Sequence, residues 1–287
     1  MGKIKFTPTG PSYYGRGLAQ SLAQLGAGYS SASEIDVPGA TSLFLDDFET
    51  GALSDAGRWQ DIVGSDGFTI VVAADEGIAA YSGVKVLRVN GSAGVITHFL
   101  ASPVDRLCHA FRIRMTNTTG ALRYGMIRGS ESQWGSFGVG GYCPINENTP
   151  PLFEQFFALS LVSYSQTPFG LQLYNYWYGM TAYEGGLCYG RTAQAGTGSP
   201  VATYYNTSYF PAAGQWHYVE SEVMMNTVGQ ANGWQRVWVD GALLIEHLNV
   251  IYRTKPTVQI RAISHDFNTP GQTCYLDNVQ ALTARAA

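Results

Sequence analysis

The chain has 287 residues, with 17 Lys and Arg against 21 Asp and Glu, for a formal charge of −4. Only 13% of residues are charged, so there is no basic stripe to displace counterions from phosphates, and nucleic acid is excluded as a partner. Hydrophobic residues make up 45%, enough to bury a core, while 34 glycines and 18 tyrosines point to short strands, tight turns and polar contact surfaces.

Residues 1–40 are rich in Gly, Ser, Ala and Tyr. Leu18, Leu22 and Leu25 recur at helical spacing in GLAQSLAQL, but so short a segment cannot bury enough apolar surface alone. The expectation is an extended N-terminal arm, an anchor held by copies of the same chain or by other shell subunits. The opening MGKIKFTPTGPSYYG has no apolar h-region, so the chain as it stands is expected to carry no signal peptide. No run approaches the ~20 apolar residues of a membrane span, and no membrane partner is expected.

From Leu43 the pattern is β. LFLDDFETG, VKVLRVNG, GVITHFLAS, LCHAFRIRMTN, FFALSLVSY, FGLQLYNYWYG, QWHYVESEVMMN, QRVWVDG, TVQIRAIS and CYLDNVQALT are short, often alternating runs. The turn pairs NG, TG, DG and PG separate most of them. Residues 128–151 and about 182–213 lack clean alternation and read as long loops. The prediction is an all-β chain: an arm over 1–40, then one two-sheet antiparallel sandwich domain over 41–287.

The segment GQWHYVESEVMMNTVGQANGWQRVWVDG, with DDFETG near the start and YLDNVQA near the end, resembles the concanavalin A-like lectin/glucanase jelly rolls. More narrowly it resembles the β-sandwich polysaccharide lyases that cleave alginate or glucuronan, and their non-catalytic relatives. The resemblance implies a jelly-roll of two curved antiparallel sheets with a concave face. It does not by itself imply an activity.

Strand alternation assigns faces. Trp216, Tyr218, Glu220 and Glu222 share one face of their strand; Trp234, Arg236 and Trp238 share one of theirs. Arg112 and Arg114 oppose Phe111, Ile113 and Met115, and Gln259 and Arg261 oppose Val258 and Ile260. Gln172, Tyr174, Tyr176 and Tyr178 oppose Leu171, Leu173 and Trp177. If these strands are neighbours, Arg112, Arg114, Gln172, Tyr174, Tyr176, Tyr178, Trp216, Tyr218, Glu220, Glu222, Arg236, Trp238, Gln259 and Arg261 line a glycan-binding groove. Arginine forks pair carboxylates, and aromatic rings stack on sugar faces. An ordinary solvated sheet face, or a protein interface, would show the same pattern.

Catalysis is not written plainly. Lyase chemistry needs a group that neutralises the uronate carboxylate and a base for the C5 proton. Neither an R-x-E-x-R strand nor a Q-x-H strand is present, and no catalytic residue is assigned. His217, His98 and His109 fall on apolar faces as packed histidines; His265 reads as a loop or strand-end residue, and His247 as solvated. Glu220 and Glu222 only loosely resemble a retaining-glucanase acid pair. Asp46, Asp47, Glu49 and Asp277, on the first and last strands, are hard oxygen groups suited to a structural calcium ion. Cys108 and Cys274 read as buried free thiols, and Cys143 and Cys188 could pair if their loops meet.

The reading that joins arm and sandwich is a structural protein at the surface of a virus or phage particle. It would be a non-enzyme with a lectin-like domain facing host or environmental glycans. The alternative is a secreted polysaccharide lyase acting on a uronate polymer by β-elimination.

Overall fold

The computed structural model describes residues 40–53, 58–63, 67–90, 94–116, 122–129, 157–163, 171–177, 205–206, 212–267 and 273–285. The arm, Tyr178, Cys143 and Cys188 lie outside the described residues, as does most of both expected loops. Fifteen strands are described: β1 (Ser42–Asp46), β2 (Asp61–Val63), β3 (Phe68–Val72), β4 (Lys85–Asn90), β5 (Gly94–Val104), β6 (Arg106–Met115), β7 (Leu122–Arg128), β8 (Phe157–Ser163), β9 (Leu171–Trp177), β10 (Tyr205–Asn206), β11 (Trp216–Met224), β12 (Gly233–Val239), β13 (Ala242–Val250), β14 (Ile260–Phe267) and β15 (Thr273–Leu282). A 3-10 turn, Ala73–Glu76, follows β3.

The strands form two antiparallel sheets. Sheet A runs β13-β12-β11-β6-β15-β4-β3, with β1 also pairing β15. Sheet B runs β10-β9-β8-β7-β14-β5-β2. The first and last strands meet, as the sequence led us to expect: Asp46 pairs Val279, and the Thr283 amide donates to the Thr41 carbonyl at 2.9 Å.

Alternation builds the core. Phe111, Ile113, Val219, Val223, Val237 and Val239 of sheet A pack between the sheets with Ile96, Ile127, Leu159, Leu161, Leu173 and Ile263 of sheet B. Polar links also cross the interior. Asn175 donates to Gln235 at 2.7 Å, and Gln235 donates to Ser221 at 3.2 Å. The β12–β13 hairpin turns on Asp240-Gly241, both at positive φ (51° and 82°), the geometry a two-residue turn needs to follow strand twist.

Five strands go beyond the sequence reading: β2, β3, β7, β10 and β13. Gly125 interrupts the β7 pattern for a packing reason. A Cβ there would meet Phe111 at 2.9 Å and His109 at 3.0 Å. Two histidines are corrected. His247 is buried, not solvated, because β13 is an ordinary partner of β12 and turns that position inward. His265 is fully buried within β14 rather than at a loop, set edge-on against Phe111 and Trp59. Cys108 and Cys274 are buried free thiols, as read from the sequence.

Candidate functional site

The structure divides the groove residues between the two sheets. Arg112, Arg114, Trp216, Tyr218, Glu220, Glu222, Arg236 and Trp238 come together on the outer face of sheet A, from β6, β11 and β12. Gln172, Tyr174 and Tyr176 hold positions on β9 of sheet B, where Tyr174 pairs Ser160 and Tyr176 pairs Ala158. Arg261 sits on β14 of the same sheet. Gln259 lies just before β14 and donates to Asp105, which Arg253 grips with two nitrogens at 2.7 and 3.1 Å.

The outer face of sheet A is largely closed by the chain itself. Glu220 and Glu222 are buried, and Arg285, beyond β15, lies across them. Its side chain donates to Glu220 at 3.1 Å, its amide to Glu222 at 2.9 Å, and its guanidinium stacks 4.5 Å from the Trp238 ring. Arg106 also grips Glu222 at 2.8 Å. Burial raises the Glu220 carboxyl above the ordinary range, against the pull of Arg285. Arg236 stacks on Trp234 and bonds Glu246 at 2.7 Å. Further along, Arg112 is clamped between the rings of Tyr81 and Tyr218, and burial lowers its guanidinium from the usual value. An alternating polar strand reads as solvated; here the segment before β4 and the tail after β15 cover it.

Sheet B carries a different arrangement. Ile127, Ile96 and Ile263 point into the core, so Arg128, Thr97 and Ser264 fall on the outer side. Arg128 is fully buried and donates to the Thr97 hydroxyl at 2.9 Å and the Ser264 hydroxyl at 3.3 Å. The register continues this row across the sheet: Thr97 to Ser264, Ser264 to Met126, Met126 to Ser160, Ser160 to Tyr174. Arg128 itself pairs Ala158, which pairs Tyr176. The sequence reading passed over Arg128 because Gly125 breaks the strand signal; the remaining alternation of LRYGMIR is the cue that marks it.

The four carboxylates considered for calcium are each engaged by the chain. Asp46 accepts from Trp59, Arg58 and the Phe48 amide. Asp47 accepts from the Glu49 amide, and Glu49 from the amides of Val84 and Lys85. Asp277 accepts from the amides of Tyr81, Ser82 and Asn278 and from the Ser82 hydroxyl. Among the described residues no group of three or more His, Cys, Asp and Glu is arranged to hold a metal ion.

All five histidines have interior or strand-end roles. His109 and His265 share a hydrogen bond at 3.2 Å between the sheets, where burial holds His109 neutral. His98 stacks on Phe44. His217 bonds Asp240 at 2.7 Å, which raises its pKa against the effect of burial. Burial alone takes His247 down to about 3.

Residues 192–269 match the family model of polysaccharide lyase 14. This corrects the reading of the chain as a non-catalytic structural protein of a virus or phage particle, since the matched family is one of lyases. No curated protein matches the chain in sequence. Among solved structures, the fold is similar to the PL-14 alginate lyase of Aplysia kurodai, at TM-score 0.57 and 17% identity over 85% of this chain and 99% of that one. The alginate lyase Aly36B, in a complex with alginate trisaccharide, gives TM-score 0.57 at 13% identity over 85% and 99%. The endo-β-1,4-glucuronan lyase of Trichoderma reesei gives 0.50 at 13% identity over 85% and 96%. The chain is thus a two-sheet jelly-roll of the concanavalin A-like kind, and it resembles the β-sandwich polysaccharide lyases.

Proposed function

We propose that the protein is an extracellular polysaccharide lyase that cleaves a uronate polymer by β-elimination on the outer face of sheet B. The observation that carries this reading is the polysaccharide lyase 14 match. The matched segment contributes β14, the interior strand of sheet B between β7 and β5 that places Ser264 against Arg128. In the reaction a base removes the C5 proton, the electron pair forms the C4=C5 double bond, and the O4 glycosidic oxygen leaves with a proton. Arg128 sets a full positive charge beneath this face, in a low-dielectric setting that favours a uronate carboxylate above it. The histidines are committed elsewhere, so we assign base and acid to the phenols of Tyr174 and Tyr176, on the row that Arg128 and Ser264 begin. The glycan-binding role assigned to Gln172 belongs to this same face.

The test is incubation with alginate, glucuronan and other uronate polymers, reading the ultraviolet absorbance of the unsaturated product. Replacing the base, as Tyr174→Phe or Tyr176→Phe, is expected to lower turnover by about 100- to 10,000-fold with the fold intact. No unsaturated product on any uronate polymer, or full rates in both variants, would sink the assignment.

A further inference from the structure

Arg112 has features that its structural role leaves unexplained. Its guanidinium carbon lies 4.1 Å from the Tyr81 ring centre and 4.0 Å from that of Tyr218. The residue is 7% exposed. Rings above and below leave the N–H groups only the plane between them. Among the described residues, no acceptor takes a hydrogen bond from this guanidinium. The acids around it are committed to other donors. Asp277, its partner in the register, holds Tyr81, Ser82 and Asn278. Asp240 holds His217 and the Tyr218 amide, and Glu220 holds Arg285. A buried cation without a bonded anion is costly to maintain, and the edge it offers is a fork that matches a planar carboxylate.

The surroundings favour a sugar as the carrier of that carboxylate. Arg114 lies two residues along the same outer face, half-buried, with Trp216 as its partner on β11 and Tyr275 on β15. Trp216 is fixed by its indole N–H, which donates to the Ala79 carbonyl at 2.9 Å, and it meets Tyr81 edge-on. A rigid, half-buried indole beside an arginine fork suits a ring bearing a carboxylate.

We propose that this patch, bounded by Arg112, Arg114, Tyr81, Trp216 and Tyr218, is a non-catalytic recognition site for the carboxylate of an acidic sugar. It lies on the other side of the sandwich from Tyr174 and Tyr176. Arg112 takes the carboxylate and Trp216 meets the sugar ring. The proposal stands independently of the lyase reading, because it requires binding without turnover.

The experiment is an NMR titration of the full-length protein with sodium D-glucuronate, following the indole N–H of Trp216, identified through Trp216→Phe. D-glucose serves as the neutral control and D-glucose 6-sulfate as the tetrahedral anion. Saturable shifts at Trp216 with glucuronate and none with glucose are expected. Arg112→Gln is expected to weaken binding at least about tenfold, the loss of a charge-assisted pair of hydrogen bonds. Arg114→Gln, at the rim, keeps the result interpretable if the buried variant does not fold, and it should weaken binding by a smaller factor. Tyr176→Phe should leave the Trp216 titration unchanged, which separates this patch from the lyase face. The proposal is overturned by the absence of saturable binding, by full affinity in folded Arg112→Gln and in Arg114→Gln, or by tighter binding of the sulfate than of the carboxylate.

Discussion

At the scale of single residues, burial decides the chemistry of the ionisable groups. Asp277 is fully buried, and desolvation pushes its carboxyl up to about 8, against the amides of Ser82, Asn278 and Tyr81. The folded protein therefore holds this proton more tightly than the unfolded chain, whose carboxyl titrates near 3.8. The associated stability is fully present below that lower value and is lost as pH rises through about 8. Urea midpoints measured between about pH 5 and about pH 9 should fall with rising pH in the native protein, and Asp277→Asn should flatten that slope. An unchanged slope in the variant would assign the pH dependence to other groups. None of this is visible in YLDNVQA, where Asp277 reads as a hard oxygen group suited to a calcium ion. Its burial comes from residues 81 and 82, far away in the sequence, folding over it.

At the scale of elements, hairpins and alternation were legible. The Asp240-Gly241 turn, the inward valines of β11 and β12, and the pairing of chain ends all follow from local patterns of side chains. Strand neighbours were not legible. Arg112 and Tyr176 carry the same kind of alternation, yet β6 and β9 belong to different sheets, because pairing is set by long-range topology and not by local period. The candidate site was therefore readable as a set of residue types and not as one surface. Close approaches of backbone are equally non-local. A Cβ at Gly233 would lie 2.7 Å from the Val250 carbonyl oxygen and 3.0 Å from the Tyr252 ring. Gly233→Ala should cost about 1–3 kcal/mol, since backbone cannot yield as a side chain can. Thermal denaturation tests this, and a native midpoint would show that the β12–β13 ladder shifts without penalty.

At the scale of the whole molecule, the C-terminal tail completes the cover over sheet A. Arg285 is the cation that satisfies Glu220, whose side chain is 4% exposed. Arg285→Ala should destabilise the fold by about 3–5 kcal/mol, because it leaves a buried acid without its partner. Adding Glu220→Gln should recover part of that loss, so the double variant should be more stable than the sum of the single effects allows. Simple additivity in the cycle would mean that the tail contributes packing alone.

The positions of β14 and β15 have a consequence for biosynthesis. β15, the last strand, lies between β6 and β4, and β14, the one before it, lies between β7 and β5. Among the described strands, a nascent chain lacking them holds sheet B as two fragments and sheet A as two fragments with β1 unpaired, leaving edges of β4, β5, β6 and β7 open in place of the joined ladders. Such edges are templates for wrong pairing. Neither sheet can close until β14 and β15 have left the ribosome, so the sandwich assembles only after both are made, slowly, through contacts distant in sequence. Chains that stop before residue 273 should aggregate rather than persist as smaller domains.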